Sequence, residues 1–399
     1  MSEMEDRNKF SIGVNYWPIR KAMEMWKDFD AGEIRDDFAR LGHYGLSPAR
    51  IFLLWEDFQP SPRRISIRSF NNLAEVARQA DDHGVKIWVT LFTGHMSGAN
   101  WLPSWMILPG PGEKGPFPLI TECTPHQSAY RNPYSEEDVR EVQKYLIHEL
   151  TIALHDHPAL WGWDLGNEPS NFYRPADTGQ GRTWLEEMIG KIREIDKIHP
   201  VTLGLHQKDL EENRCIGPAE VAESCDLLTM HAYPAYSAWS AGKTDPVFPL
   251  FLAELTSRLG GRPEVWISEF GISTAQDPLS TDEESAARYA SEALEYMRRG
   301  CVPGALWWCY GDYAPQVWER APFNELVHER SFGLFRNDGS PKQIASVIEK
   351  APRTREDRAV PSGWFDLEPF RFWSDPEKEI QRLYRNFREG LQKREEASL

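Results

Sequence analysis

Eight short apolar runs recur along the chain, each rich in β-branched or aromatic residues and bounded by glycine, proline or charged residues. Runs of this length that are apolar on both faces are typical of buried parallel strands. The predicted strands are SIGVNYW (11–17), ARIFLLW (49–55), KIWVTLF (86–92), LWGWDLG (160–166), VTLGLH (201–206), LLTMHAY (227–233), EVWISEF (264–270) and GALWWCY (304–310).

Amphipathic stretches separate these runs and carry helix start and stop signals. Two of them end on Gly45 and Gly84, which suit the position just after a helix. An acidic first turn at 135–138 opens another helix, and a capping box at 281–284 starts one that closes at Gly300. Eight strands alternating with helices predict a (β/α)8 TIM barrel. A doubly wound open sheet is the alternative, although no glycine-rich nucleotide-binding motif follows any strand.

The segment 94–134 interrupts this alternation with a long connection after the third strand. A connection of this length inside a compact domain is usually functional or disordered. Trp101, Trp105 and Phe117 argue against disorder, so we expect a long ordered loop.

A second irregular segment, 351–399, follows the eighth unit. From about Pro376 it has a helical pattern with one apolar face, formed by Ile380, Leu383, Tyr384, Phe387 and Leu391. We expect a barrel at 1–350, and at 351–399 a C-terminal arm and helix that pack on the barrel.

Composition narrows the classes of partner. The 399 residues include 61 acidic against 45 basic ones, with a formal net charge of −16, which disfavours binding to nucleic acid. No window approaches the ~20 apolar residues of a membrane helix. The charged N-terminus shows no secretory signal, and the five cysteines form no CxxC pair. We therefore expect a cytoplasmic protein with reduced thiols, no bound metal, and neither nucleic acid nor a membrane as partner.

The carboxyl ends of the predicted strands carry titratable residues, and this end of a (β/α)8 barrel holds the active site. Glu168 follows the fourth strand and Glu269 lies near the end of the seventh, both in apolar surroundings where an idle charge would be costly. Hydrolysis of a glycosidic bond requires two carboxyl groups flanking a cleft, one protonated and one ionised. The pair therefore indicates glycoside hydrolysis, with solvated or ion-paired strand-end glutamates as the structural alternative.

Glu168 stands in the motif GNEP (166–169), and Glu269 is followed by Phe-Gly. On these motifs the chain resembles the retaining β-glycoside hydrolases of clan A, and glycoside hydrolase family 5 in particular, over roughly residues 10–350. The resemblance implies that Glu168 is the acid/base and Glu269 the nucleophile of a double displacement that uses no cofactor. It matches Trp308 to the tryptophan beneath the bound sugar, a role for which Trp307 is the alternative. It also implies a non-proline cis peptide bond after Trp308. The further residues to which it assigns supporting or substrate-binding roles are Arg50, Asn167, His231, Tyr233, Trp308 and His95.

The runs GVNYWP, which contains Trp17, and RIFLLWEDFQP, which contains Glu56, resemble the mannan-active and β-mannosidase-like branches of the family. Without a secretory signal a small β-linked oligosaccharide is the expected substrate, which favours an exo-acting β-mannosidase with a pocket. Glu56 would hold hydroxyls of the terminal sugar, and the 94–134 loop would wall off one end of the cleft. The alternatives are an endo-β-1,4-mannanase or endoglucanase, a β-galactosidase or β-glucosidase of the same clan, and a non-catalytic sugar-binding barrel.

Overall fold

Every predicted strand run overlaps a strand of one parallel sheet in the computed structural model, which describes residues 8–111, 117–356 and 360–397. The strands are β1 (Ser11–Tyr16), β2 (Ala49–Leu54), β3 (Ile87–Thr93), β4 (Leu160–Asn167), β5 (Val201–Gly204), β6 (Leu228–Ala232), β7 (Val265–Phe270) and β8 (Gly304–Trp307). Their order is β5-β4-β3-β2-β1-β8-β7-β6, and the His231 N–H donates to the Leu205 carbonyl (2.8 Å) across the two edge strands. The sheet thus closes into the predicted (β/α)8 barrel.

Helices follow the strands in the expected alternation. They are α1 (Ala31–His43), α2 (Ile67–Asp82), α3 (Glu137–Leu154), α4 (Thr178–Arg193), α5 (Pro218–Ser224), α6 (Phe248–Gly260), α7 (Glu283–Arg298) and α8 (Gln343–Lys350). Shorter helical turns occupy the connections at Ala22–Glu24, Trp55–Phe58, Ser104–Met106, Pro169–Phe172, Lys208–Glu211, Pro234–Tyr236, Pro315–Val317, Val327–Arg330 and Pro369–Phe372.

The ends of these helices test the predicted caps. Gly45 and Gly84 follow α1 and α2 with φ of +63° and +69°, the left-handed conformation that glycine adopts without steric cost. The cap predicted at Thr281 is wrong by one residue. The carboxylate of Asp282 caps α7 by accepting the Ser285 N–H (2.8 Å), because an acidic side chain suits the positive end of the helix.

The barrel interior is apolar at one end and polar towards the other. Trp88, Trp161 and Trp266 pack against one another, with ring centroids 4.4 Å apart for the first two and 5.7 Å for Trp88 and Trp266. Two residues further along β3, Thr90 donates to the Asp164 carboxylate (2.8 Å). This change from apolar to polar side chains places charged groups at the carboxyl ends of the strands.

The segment after β3 is not the single loop that the sequence predicts. It folds into a small sheet of His95–Met96, Ala99–Trp101, Leu119–Thr121 and Thr124–His126, and a pair formed by Ile107–Pro111 and Ser128–Tyr130. Trp101 is buried and Trp105 packs edge-on against Trp55 (5.1 Å), so the tryptophans act as the core of this insertion. We call residues 94–134 the β3 insertion, of which residues 112–116 lie outside the described part.

A ninth long helix, α9 (Pro376–Ala397), ends the described chain. Its residues Ile380, Leu383, Tyr384 and Phe387 are buried, whereas Leu391 is half-buried. The rings of Tyr384 and Phe387 lie 4.8 and 5.6 Å from that of Phe251 on α6, so the apolar face of α9 covers this barrel helix.

Across residues 8–111, 117–356 and 360–397, no helix combines the length and hydropathy of a membrane span. All five cysteines are free thiols.

Candidate active site

A cavity of about 540 Å³ opens at the carboxyl ends of the strands, and both Glu168 and Glu269 line it. Its walls come from the β3 insertion, from the turns after β4, β5 and β6, and from the long connection after β8. The remaining candidates among its lining residues are His95, Asn167, His231, Tyr233 and Trp308.

Glu269 lies near the end of β7 between a guanidinium and a phenol. Arg50 Nη1 donates to one carboxylate oxygen (2.6 Å), and the Tyr233 hydroxyl donates to the other (2.7 Å). Burial, with the neighbouring Glu269 charge adding to it, raises the pKa of Tyr233, so this phenol stays protonated and remains a donor. Both oxygens of Glu269 are thus held by donors that persist across the working pH range.

Arg50 is completely buried and organises the floor of the site. It also donates to the Asp164 carboxylate from Nε (2.9 Å) and Nη2 (2.6 Å), and to the Asn167 side-chain oxygen (2.9 Å). β1 contributes Asn15, whose side-chain oxygen accepts from Nη1 (3.2 Å). A buried cation needs such partners, because an unpaired one would be strongly destabilising.

Glu168 follows β4 and has different neighbours. His231 Nδ1 lies 2.8 Å from one carboxylate oxygen, and the Asn171 amide donates to the other (2.9 Å). His95 Nε2 and His206 Nδ1 each lie 3.8 Å from that second oxygen. Three imidazoles and one amide therefore surround this carboxyl group.

The tautomer of His231 follows from its surroundings. Its Nε2 is buried without a hydrogen-bond partner, while its Nδ1 meets Glu168 (2.8 Å). A proton on Nε2 would be a buried donor without an acceptor, which is costly. The geometry therefore places a proton on Nδ1, from which the ring donates to Glu168.

The two carboxyl groups are close enough to influence each other's titration. One donor atom from each of Glu168, His231 and Glu269 lies within 4.8 Å of the others. Burial raises the pKa of Glu269, and the charge on Glu168 adds to the rise against the pull of His231 and Arg50. Two buried carboxyl groups at this distance titrate as a coupled pair.

The histidines act on Glu168 in the opposite direction. Burial opposes its ionisation, but His206, His231 and His95 around it hold its pKa below the usual range. The electrostatic part of this pull requires protonated rings, whereas His231 also acts through its hydrogen bond. Burial lowers the pKa of His95, so this ring is neutral at neutral pH and its pull on Glu168 is lost there.

The same three groups offer the donor atoms a metal ion needs, but their existing contacts suit proton transfer better. Both oxygens of Glu269 already accept hydrogen bonds, and the Arg50 guanidinium lies 2.6 Å from one of them. A cation placed here would face that guanidinium at short range.

The two tryptophans at the end of β8 have different surroundings. Trp308 lines the cavity, and the peptide bond after it is cis, as the family resemblance implies. The Trp307 side chain is buried and donates to the Phe332 carbonyl (2.9 Å). Trp308 is therefore the one of the two that is available to a bound ring.

Besides Arg50, two other candidates lie outside the cavity lining. Trp17 is fully buried and stacks on Phe52 (5.5 Å), behind Trp308. Glu56 accepts from Lys27 Nζ (2.6 Å) and from the backbone N–H of Glu122 in the β3 insertion (2.8 Å). Glu56 thus fastens the insertion to the barrel.

Several polar residues of the cavity are not predicted from the sequence. His206 follows β5 as His231 ends β6, and a bridge between these residues joins the two strands. Asn171 lies three residues after Glu168, and Tyr236 donates to Glu329 (3.2 Å). His206 does end a predicted strand, so its position at a strand end was the available signal.

A (β/α)8 barrel with two carboxyl groups facing one cavity at the carboxyl ends of its strands defines a glycoside hydrolase site. Residues 33–314 match the model of the family described as cellulase (glycosyl hydrolase family 5). The chain belongs to glycosyl hydrolase family 5, and it is a glycoside hydrolase.

Relatives and solved structures extend the comparison. The chain is 24% identical over 337 residues to mannan endo-1,4-beta-mannosidase 1 of Oryza sativa subsp. japonica, covering 75% of this chain and 74% of that protein. A GH5_18 protein from Streptomyces cattleya, in complex with Manβ1-4GlcNAc, superposes with a TM-score of 0.74 at 23% identity, covering 87% and 83% of the two chains. An exo-beta-1,4-mannosidase from Opitutaceae bacterium strain TAV5 gives a TM-score of 0.68 at 24% identity, covering 86% and 58%. These two structures share the barrel fold with this chain.

Proposed function

We propose that this chain is a retaining exo-β-mannosidase that releases mannose from the non-reducing end of β-linked oligosaccharides. Glu269 is the nucleophile and Glu168 the acid/base. The short distance between them supports the retaining reaction, in which the carboxyl groups lie ~5–5.5 Å apart, rather than the wider spacing that admits a water in inverting enzymes.

In the first step, Glu269 attacks the anomeric carbon while Glu168 gives its proton to the departing glycosidic oxygen. Arg50 and Tyr233 hold the Glu269 carboxylate in place by their hydrogen bonds at 2.6 and 2.7 Å. In the second step, Glu168 removes a proton from water, which displaces Glu269 from the sugar and restores both carboxyl groups.

The exo mode rests on one observation, a close contact between two segments on one side of the cavity. Gly98 of the β3 insertion, with φ of +69°, lies so near the β8 connection that an added Cβ would be 2.4 Å from Leu326 Cδ1. Both residues line the cavity. In the strand order, β3 and β8 flank β2 and β1, so this contact spans the carboxyl ends of those two strands.

A substrate that continued beyond the sugar in the pocket, towards its non-reducing end, would have to pass through the side that this contact spans. Because Glu168 protonates the leaving oxygen, the leaving group extends past β4, and the sugar in the pocket extends away from it. Closure over β1 and β2 therefore favours a pocket for one terminal sugar over an open groove. It also accounts for the absence of Trp17 and Glu56 from the lining.

The choice of mannose rests on the relatives, whose names include both endo- and exo-acting β-mannosidases. The test is digestion of mannohexaose labelled at its reducing end, with the Glu269→Ala variant as control. We expect free mannose and stepwise shortening of the labelled chain, and release of the β-anomer first by NMR. A ladder of internal fragments would indicate an endo-mannanase instead. Faster cleavage of aryl β-glucosides or β-galactosides than of the β-mannoside would overturn the sugar assignment.

A further inference from the structure

We propose that Asn171 and Arg214 are positioning residues for Glu168: the guanidinium orients the Asn171 amide, which then donates a hydrogen bond to the acid/base. This inference rests on the proposed role of Glu168. It concerns two residues on separate connections, one after β4 and one after β5, that meet beside the cavity.

The orientation of the Asn171 amide is fixed by its two partners. Its nitrogen donates to Glu168 Oε2 (2.9 Å), and its oxygen accepts from Arg214 Nη1 (3.0 Å). Because a guanidinium only donates, it selects the oxygen end of the amide and leaves the nitrogen for Glu168. Asn171 is thereby an obligate donor to this carboxyl group.

Arg214 is itself held in a defined position. Its side chain is 10% exposed, and its Nη1 also donates to the Ser170 hydroxyl (3.2 Å). That hydroxyl in turn donates to the buried Asp209 carboxylate (2.6 Å), and Arg214 Nε lies 3.3 Å from Glu212. With Ser170 and Asn171 both bound, the guanidinium clamps the one-turn helix that follows Glu168.

The β3 insertion supports the same turn from its other side. The Asn100 amide donates to the Asn171 carbonyl (3.2 Å), and the Tyr130 hydroxyl donates to the Phe172 carbonyl (2.6 Å). The turn is thus fixed at its backbone by the insertion, while Arg214 fixes the Asn171 side chain.

Apart from Asn171, the closest neighbours of Glu168 are titratable side chains. These groups are His95 from the insertion, His206 after β5, His231 on β6 and Glu269 on β7. Asn171 does not titrate, and Arg214 stays protonated. Arg214 Nη1 also lies 3.4 Å from His206 Nε2, but the amide that donates to Glu168 has no proton to lose in this range. A hydrogen bond to the ionised form lowers the pKa of a carboxyl group.

The test is the pH dependence of kcat/KM for Asn171→Leu and Arg214→Met on an aryl β-mannoside with a poor leaving group. The alkaline limb of this profile reports the pH at which the acid loses its proton. We expect it to move up by about one pH unit in Asn171→Leu, the shift that loss of one charge-assisted hydrogen bond produces. Arg214→Met should shift it in the same direction, and Arg214→Lys should restore part of the wild-type profile.

Arg174→Met is the matched control, since Arg174 also pairs with Glu212 (2.6 Å) but is more exposed. It should leave the alkaline limb in place. A limb that stays at the wild-type pH in both Asn171→Leu and Arg214→Met, with folded protein by circular dichroism, would overturn the proposal.

Glu168→Ala separates this inference from the function it rests on. If Glu168 is the acid, Glu168→Ala loses kcat/KM on poor leaving groups and retains most of it on a dinitrophenyl β-mannoside, whose departure needs no proton. If that dependence is absent, the assignment of Glu168 fails, and the positioning role fails with it. If it is present while the limb is unmoved, the positioning role alone fails.

Discussion

Glu168 and Glu269 are the same residue type in one cavity, yet the structure surrounds them differently. Glu269 is bound by a guanidinium and a phenol, whose protons stay in place over a wide pH range. Glu168 is bound by an imidazole and an amide, with two further imidazoles at 3.8 Å. Position at a strand end brings each carboxyl group to the cavity, but the neighbours give the two groups different hydrogen-bond donors.

The backbone differs as well. Glu269 belongs to β7 and pairs with His231 of β6 in the sheet register. Glu168 has φ of +46° and ψ of +52°, a left-handed conformation that costs an L-residue about 1–2 kcal/mol. This strain turns the chain at the end of β4 into the following one-turn helix, where Asn171 can reach the carboxylate.

Removing the attacking carboxylate should have the largest effect. Glu269→Ala is expected to lower kcat about 10⁴-fold or more, because the alanine methyl group cannot form the covalent intermediate of the proposed mechanism. Azide should partly restore activity on a dinitrophenyl β-mannoside and give the α-mannosyl azide, identified by NMR. Full activity without azide, or a β-azide, would contradict the nucleophile assignment.

Glu168→Ala should have a smaller effect that depends on the substrate. General acid catalysis contributes ~10²–10⁴-fold, and the loss should be greatest for natural mannosides, whose leaving oxygen needs a proton. Azide should here give the β-mannosyl azide, since attack occurs from the side Glu168 occupied. Equal loss on good and poor leaving groups would show that Glu168 is not the acid.

Tyr233→Phe removes a hydrogen-bond donor from Glu269, as Asn171→Leu removes one from Glu168. Loss of a hydrogen bond to the ionised form adds to the effect of burial, which already raises the pKa of Glu269. The acid limb of kcat/KM should therefore move to higher pH, with about tenfold lower activity near its midpoint. Tyr310→Phe is the control, because the Tyr310 phenol bonds Asp37 (2.6 Å) and does not line the cavity. An unmoved acid limb would show that Tyr233 does not hold the charge on Glu269.

Most of the barrel could be predicted from the sequence, because each of its strands is a short apolar run that is readable without knowing its neighbours. Glu269 stands out for the same reason, as a charge inside such a run (VWISEF). The folding of the β3 insertion could not be read in this way. Its strands have two to five residues, and one of them, Ile107–Pro111, contains glycine and proline.

The residues that the sequence did not reveal act through contacts between distant segments. Arg214 reaches Asn171 over 43 positions, and neither residue lies in an apolar run that would mark it. His206 meets Glu168 only because β5 and β6 close the barrel. Sequence periodicity predicts which elements form, whereas these side-chain pairings depend on how the connections pack above them.

Glu56→Gln should have the smallest effect of all, although sequence reasoning placed Glu56 on the substrate. Its oxygens are already bound by Lys27 and by the Glu122 N–H, outside the cavity lining. We expect KM and kcat for mannobiose to stay within about twofold of wild type, and the free energy of unfolding to fall by ~1 kcal/mol or less, since Lys27 is a third exposed. Glu75→Gln, which breaks a surface ion pair on α2, is the control for the stability change. A tenfold rise in KM would place Glu56 against the sugar and show that the closed side of the pocket opens to substrate.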